Sequence, residues 1–273
     1  MTDHEIRALV KLATDDNPKI AQEARQALVH HGTAALSELR DLADVEPTLA
    51  AELTQRIQAR ALEADWIALA RQPDIEQAAL LLDRWHNPLL DPAALAARLD
   101  ALAAPLRGQF DGLSAREGAR ALRDWLCEVK GFRGNAEQYY APENSLLSEV
   151  LRTRRGLPLT LSLVYLGVAK RAGAPLYPIG IPTHFIVRYG EARDGIYLDP
   201  FHQGAIMTRQ DVQRFLVHQG VHWTPDHLEP MAAHPIVLRM LRNLINAYAQ
   251  RGDADRTWQV LRFLDIWTDH GMV

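Results

Sequence analysis

The chain has 273 residues, of which 48% are hydrophobic and 23% charged, and its formal net charge is −4. That length buries a sizeable core, and the composition excludes an intrinsically disordered protein. The small acidic excess offers no positive field for nucleic acid or an anionic membrane, and the single cysteine, Cys127, excludes an internal disulfide.

No apolar run reaches the roughly 18 residues needed to cross a bilayer. The opening Met-Thr-Asp-His-Glu-Ile-Arg lacks the basic-then-apolar pattern of a secretory leader. The expectation is a cytoplasmic protein without nucleic-acid or membrane partners and without a cofactor.

Residues 1–107 are rich in Ala and Leu, poor in β-branched residues and punctuated by Pro, which favours helix. Apolar stripes run through Ile6, Leu9 and Val10, then through Ala21, Ala24 and Leu28 after Pro18, then through Leu36, Leu39 and Leu42. One helix pair of this kind resembles a HEAT-like unit. A solenoid needs about three repeats, so a helical cap is expected here. Further helices are expected over 48–71, 74–86 and 92–104. His30, His31 and His86 have no ligand partner at metal spacing and read as surface or cap residues.

The next region, 108–233, opens on Gly108 to Ser114, and Ser114 with Glu117 forms a capping-box signature for a helix reaching about Val129. Cys127 lies beside the apolar stripe of that helix and reads as a small packing residue. A loop containing Asn135, Tyr139 and Tyr140 leads to Asn144 or Ser145 as helix caps, with the helix closing at Gly156. Pro158 suits the first turn of the following helix, whose Leu159, Leu161, Leu163, Val164 and Leu166 leave almost no polar face. The arginines Arg152, Arg154 and Arg155 complement a helix C-terminus and need no phosphate to explain them.

After Gly173 the pattern changes to short β-branched and aromatic runs at 177–181, 184–189 and 196–199, the last two joined by a hairpin loop. Pairing about that loop places His184 near Asp199 or Phe201. Thr208 caps a helix striped by Val212, Phe215 and Leu216. The tail, 234–273, reads as two amphipathic helices broken at Gly252-Asp253, a unit that resembles one tetratricopeptide hairpin.

A thiol nucleophile works best at a helix N-terminus, with a His beside it and a carboxylate to orient the His. The helix start at 156–160, His184 and Asp199 provide that plan without the thiol. Thr160 or Ser162 on the same helix, and Cys127 on an earlier one, are the substitutes in view. An alkoxide needs stronger activation than a thiolate.

The segments Phe132-Arg-Gly-Asn135, Tyr140-Ala-Pro-Glu-Asn144-Ser145, Arg155-Gly156-Leu-Pro158-Leu-Thr160, Pro182-Thr-His184-Phe and Asp199-Pro200-Phe201 resemble those of the bacterial SirB family. The resemblance runs from about residue 60 to the end. It implies an α+β, mostly helical protein with a transglutaminase-like core, a small antiparallel sheet and a tetratricopeptide-like tail. It also implies that Pro158 stands where active relatives carry the nucleophilic Cys, while His184 and Asp199 match the other two triad positions. The expected function is therefore non-catalytic binding or regulation through a protein partner. The alternative is a hydrolase or acyltransferase using His184 and Asp199 with Thr160 or Cys127. Asn135, Tyr140, Asn144, Ser145, His184 and Asp199 are the candidate cleft residues, and no metal ligands are expected.

Overall fold

A computed structural model describes residues 3–271. The chain divides into two compact units, Met1–Ala68 and Leu69–Val273. The first unit contains α1 (Asp3–Leu12), α2 (Pro18–His31), α3 (Leu39–Ala43) and most of α4 (Pro47–Arg71). Asn17 caps α2 by accepting from Lys19 N, and Pro18 occupies the first turn, where its missing N–H costs nothing. Ile6, Val10, Leu28, Leu39, Leu53 and Ile57 form the core of this unit. Ile6, Val10, Leu28 and Leu39 belong to the stripes read from the sequence.

The second unit begins with α5 (Ile75–His86) and α6 (Pro92–Ala103), capped by Asp74 and Asp91. Then come α7 (Ala115–Arg123), β1 (Arg133–Gly134), α8 (Leu147–Thr153), β2 (Arg155–Gly156) and α9 (Pro158–Ala172). A four-stranded antiparallel sheet follows, with β3 (Leu176–Ile181), β4 (His184–Tyr189), β5 (Ile196–Asp199) and β6 (Ala205–Met207) in sequential order. The chain continues through α10 (Arg209–His218), α11 (Ala233–Arg251) and α12 (Ala254–His270). None of the described helices is long and apolar enough to cross a membrane.

Twelve of the fifteen residues of α9 are buried, so it is the central helix against which the unit assembles. All six residues of β4 are buried as well. Side chains alternate along a strand, so Ile186 turns toward Val212 and Leu216 of α10, while Tyr189 turns toward α7. Gly118 of α7 is required there, because a Cβ would lie 2.2 Å from the Tyr189 ring. The Ser114–Glu117 capping box holds the start of α7 as the sequence indicated.

Several local readings are corrected. The last six residues of the helix expected to reach Val129, Asp124–Val129, wind as a π-helix, and the Trp125 indole donates to Leu102 O at 2.8 Å. Neither Asn144 nor Ser145 caps α8; Asp83 of α5 does so from 65 positions away, accepting from Ser148 N at 3.1 Å and from Ser148 Oγ at 2.5 Å. Arg154, at φ 61°, ends α8 in the left-handed conformation instead of Gly156, which lies in β2. β6 is a three-residue strand too short to stand out in the sequence. His86 is half-buried and not a free surface residue: its Nδ1 lies 3.1 Å from the Tyr248 hydroxyl and 2.9 Å from Arg256 Nη1, because the α11–α12 hairpin packs over α5.

Burial pushes the Asp83 carboxyl up to about 6, against the pull of the Ser148 hydrogen bonds. Its folded value thus lies above the ordinary carboxylate value, so the folded state holds the proton more tightly. This group's contribution to stability is greatest below about pH 4 and declines as pH rises through 6, by on the order of 3 kcal/mol. Asp83→Asn keeps an acceptor for Ser148 N and removes the titration. Melting midpoints of the variant should therefore fall less between pH 4 and 7 than those of the wild type. An identical pH dependence in the two proteins contradicts this assignment.

Candidate functional site

β4 and β5 pair with Val187 opposite Leu198, and extending that register sets His184 opposite Phe201 and diagonal to Asp199. The two side chains meet: His184 Nε2 is 2.7 Å from Asp199 Oδ2, and both residues are buried. A second imidazole, absent from the sequence candidates, completes the group. His202 Nδ1 also lies 2.7 Å from Asp199 Oδ2. Asp199 Oδ1 accepts from the backbone N–H groups of Phe201 and His202 at 3.0 and 3.2 Å, closing an Asx-type turn beyond β5. The Asp-x-x-His spacing of 199–202 was the available sequence signal for His202.

Burial alone would push the Asp199 carboxyl up, but hydrogen bonds from His184 and His202 outweigh it and hold Asp199 well below the usual carboxylate range. The same bond to Asp199 raises His202 above the ordinary imidazole value, despite partial burial. An ionised carboxylate only accepts hydrogen bonds, so both ring nitrogens facing it carry protons. His184 Nδ1 is then left without a hydrogen-bond partner, oriented as a general base would be. The arrangement has a base and its orienting carboxylate.

Among the described residues no nucleophile is hydrogen-bonded to that base. Pro158 occupies the first turn of α9, and Thr160 is buried in the same helix without a hydrogen bond to His184. Cys127 is half-buried in the π-helical turn, where burial and then Glu128 push its thiol up, away from the thiolate form. Contacts nevertheless tie the start of α9 to the His strand. Gly156 O accepts from Asn135 N at 3.2 Å, Phe201 O accepts from Gly134 N at 3.0 Å, and the Phe201 ring lies 6.2 Å from that of His184.

The loop candidates separate into two kinds. Asn144 donates to Gln138 O at 2.6 Å and accepts from Asn135 Nδ2 at 3.0 Å, so this pair folds the loop. Ser145 is buried, and its Oγ has no partner. Tyr140 is 54% exposed and stands edge-on to Tyr139, which in turn packs on Phe201 at 5.8 Å. Tyr139, Tyr140, Phe201 and His202 thus form an aromatic rim around His184. His184 Nε2, Asp199 Oδ2 and His202 Nδ1 lie within 4.8 Å of one another and are a set that could hold a metal ion. The sequence expectation named no such ligands. Both ring nitrogens here point at one carboxylate oxygen, so an ion would have to displace two protons and two hydrogen bonds.

A family profile described as the transglutaminase-like superfamily matches residues 93–242. A UPF0162 protein of Xylella fastidiosa is 32% identical over 203 residues, covering 70% of this chain and 72% of that protein. A UPF0162 protein of Pseudomonas aeruginosa is 30% identical over 189 residues, covering 68% and 69% of the two chains. F-box only protein 21 of Homo sapiens is 26% identical over 236 residues, which span 73% of this chain and 37% of that one. No solved structure matches. The chain belongs to the transglutaminase-like superfamily and to the UPF0162 family.

Two measurements check this geometry. The raised His202 value means that its bond to Asp199 stabilises the fold fully below about pH 6.5 and is lost as pH rises through the folded value. The depressed Asp199 contributes above about pH 3.9 and loses its effect as pH falls through its own folded value. In an NMR titration, Asp199→Asn should bring the His202 transition down toward the ordinary value, and an unmoved transition contradicts the pairing. At Gly134 a Cβ would lie 2.6 Å from Phe201 O. Gly134→Ala should cost about 1–3 kcal/mol by denaturant unfolding, as overpacking does, and wild-type stability would show that the turn is not so tightly held.

Proposed function

We propose that this member of the transglutaminase-like superfamily is a SirB-type protein without acyl-transfer chemistry, using the His184–Asp199–His202 face to bind a protein partner. The observation that carries the reading is Pro158 at the start of α9, the position that the resemblance assigns to the nucleophile. A proline offers no nucleophile, and neither Thr160 nor Cys127 hydrogen-bonds to His184. The raised Cys127 thiol and the burial of Thr160 weigh against the hydrolase or acyltransferase alternative.

Three features support binding. Tyr139 and Tyr140 are 36% and 54% exposed beside a rigid hydrogen-bonded loop, and fixed aromatic side chains of that kind anchor protein interfaces. The Asp199 turn presents Phe201 and the exposed His202 next to them. The matching stretch of the human relative is part of a longer chain, which supports use of this fold as a module.

The test has two arms. Incubation with iodoacetamide or a fluorophosphonate should give no labelling that depends on His184, so adducts lost in His184→Ala defeat the reading. In a pull-down from the native host, Tyr140→Ala should lose captured protein that the wild type retains. Because Tyr140 is exposed and makes no hydrogen bond, its melting midpoint should not change.

A further inference from the structure

Beside the start of β4 lies an open pocket of about 500 Å³. Thr183, His227, Arg239, Arg242 and Asn243 line it with residues 180–182 at the end of β3, and none of its lining residues is acidic. In a chain of net charge −4 that is a local concentration of positive charge, not a reflection of overall balance.

Arg239 is half-buried, yet its guanidinium meets only neutral groups. It donates to Ile181 O at 3.2 Å and His184 O at 2.9 Å, and it lies 5.4 Å from the Phe185 ring centroid. No carboxylate among the described residues pairs with it. Burial lowers its affinity for the proton, with only Tyr139 acting in the other direction. A desolvated cation without a counter-charge is costly, and it is a standing site for an anion. Arg242 lies three positions along α11, on the same face, exposed, and its side chain has neither a hydrogen bond nor an ion pair among the described residues. At the lip, Thr183 sits at φ 62°, a left-handed conformation that a β-branched residue rarely adopts and that often accompanies ligand sites.

We propose that this pocket binds oxyanions, and that its occupant is an acidic peptide segment whose carboxylates pair with Arg239 and Arg242. The proposal rests on the protein-binding reading above and names the chemistry of the partner. Paired guanidinium groups suit carboxylates, which they grip through two parallel N–H···O bonds. The cavity is far larger than one inorganic oxyanion, which suits a chain segment.

Isothermal titration of the full chain with acetylated tetraglutamate, tetraglutamine and inorganic phosphate tests this. Tetraglutamate should bind about tenfold more tightly than tetraglutamine, and Arg242→Gln should weaken it about tenfold, the loss expected for one charge-assisted pair. Arg242 is exposed and unbonded, so an unchanged melting midpoint separates lost binding from lost folding. Equal binding of the two peptides, or wild-type affinity in Arg242→Gln, overturns the site. Phosphate binding as tight as tetraglutamate overturns the peptide occupant. The same titration with Tyr140→Ala distinguishes the two readings: if Tyr140→Ala still captures the host protein that the wild type captures while tetraglutamate binding persists, the partner reading falls and the anion site stands.

Discussion

The carboxylate of Asp199 is the point on which this half of the molecule converges. Its two oxygens receive two imidazoles and two backbone amides, so one side chain fixes the His184 ring, the turn beyond β5, the Phe201 ring and the exposed His202. A buried charge is tolerated only when its hydrogen-bonding capacity is met, and here four donors meet it. Gly134, Gly156 and Asn135 then connect that turn to the first residues of α9. The site is consequently rigid without any ligand.

That rigidity bears on function because a rigid frame has two uses. With a nucleophile beside His184 Nδ1 it would be a catalytic centre, since the base and its orienting carboxylate are already paired. Under the binding proposal it would serve as a preorganised surface, with its aromatic side chains held before a partner arrives. The electrostatics agree. The carboxylate at the site has its hydrogen-bonding capacity met by two imidazoles and two backbone amides, whereas the guanidinium of Arg239 has no carboxylate partner among the described residues.

What the sequence disclosed followed the range of each signal. The helices of the first unit, the capping box at Ser114, the proline start and glycine stop of α9 and the β4–β5 hairpin all rest on residues near one another in the chain, and their signals were legible. The meeting of His184 with Asp199 was legible too, because a hairpin register is a local matter. Contacts across long separations were not. Asp83 reaches Ser148, His86 reaches Tyr248 and Arg256, and Arg239 reaches the carbonyl of His184, none of which spacing encodes. His202 was missed for another reason: an exposed His after Asp-Pro-Phe has no distinctive pattern until the turn is known to fold back on Asp199. Asn144 read as a cap because its side chain suits one, but the loop at 138–139 claims that side chain first.

The central claim is that the frame of a triad survives here and only the nucleophile is missing. P158C restores a thiol at the start of α9 and tests the claim most directly through the pH profile of its alkylation by iodoacetamide. The account predicts reaction with an apparent pKa well below the roughly 8.5 of a free thiol, and a return to ordinary behaviour when H184A is added. An ordinary thiol profile in P158C, unchanged by H184A, would contradict it.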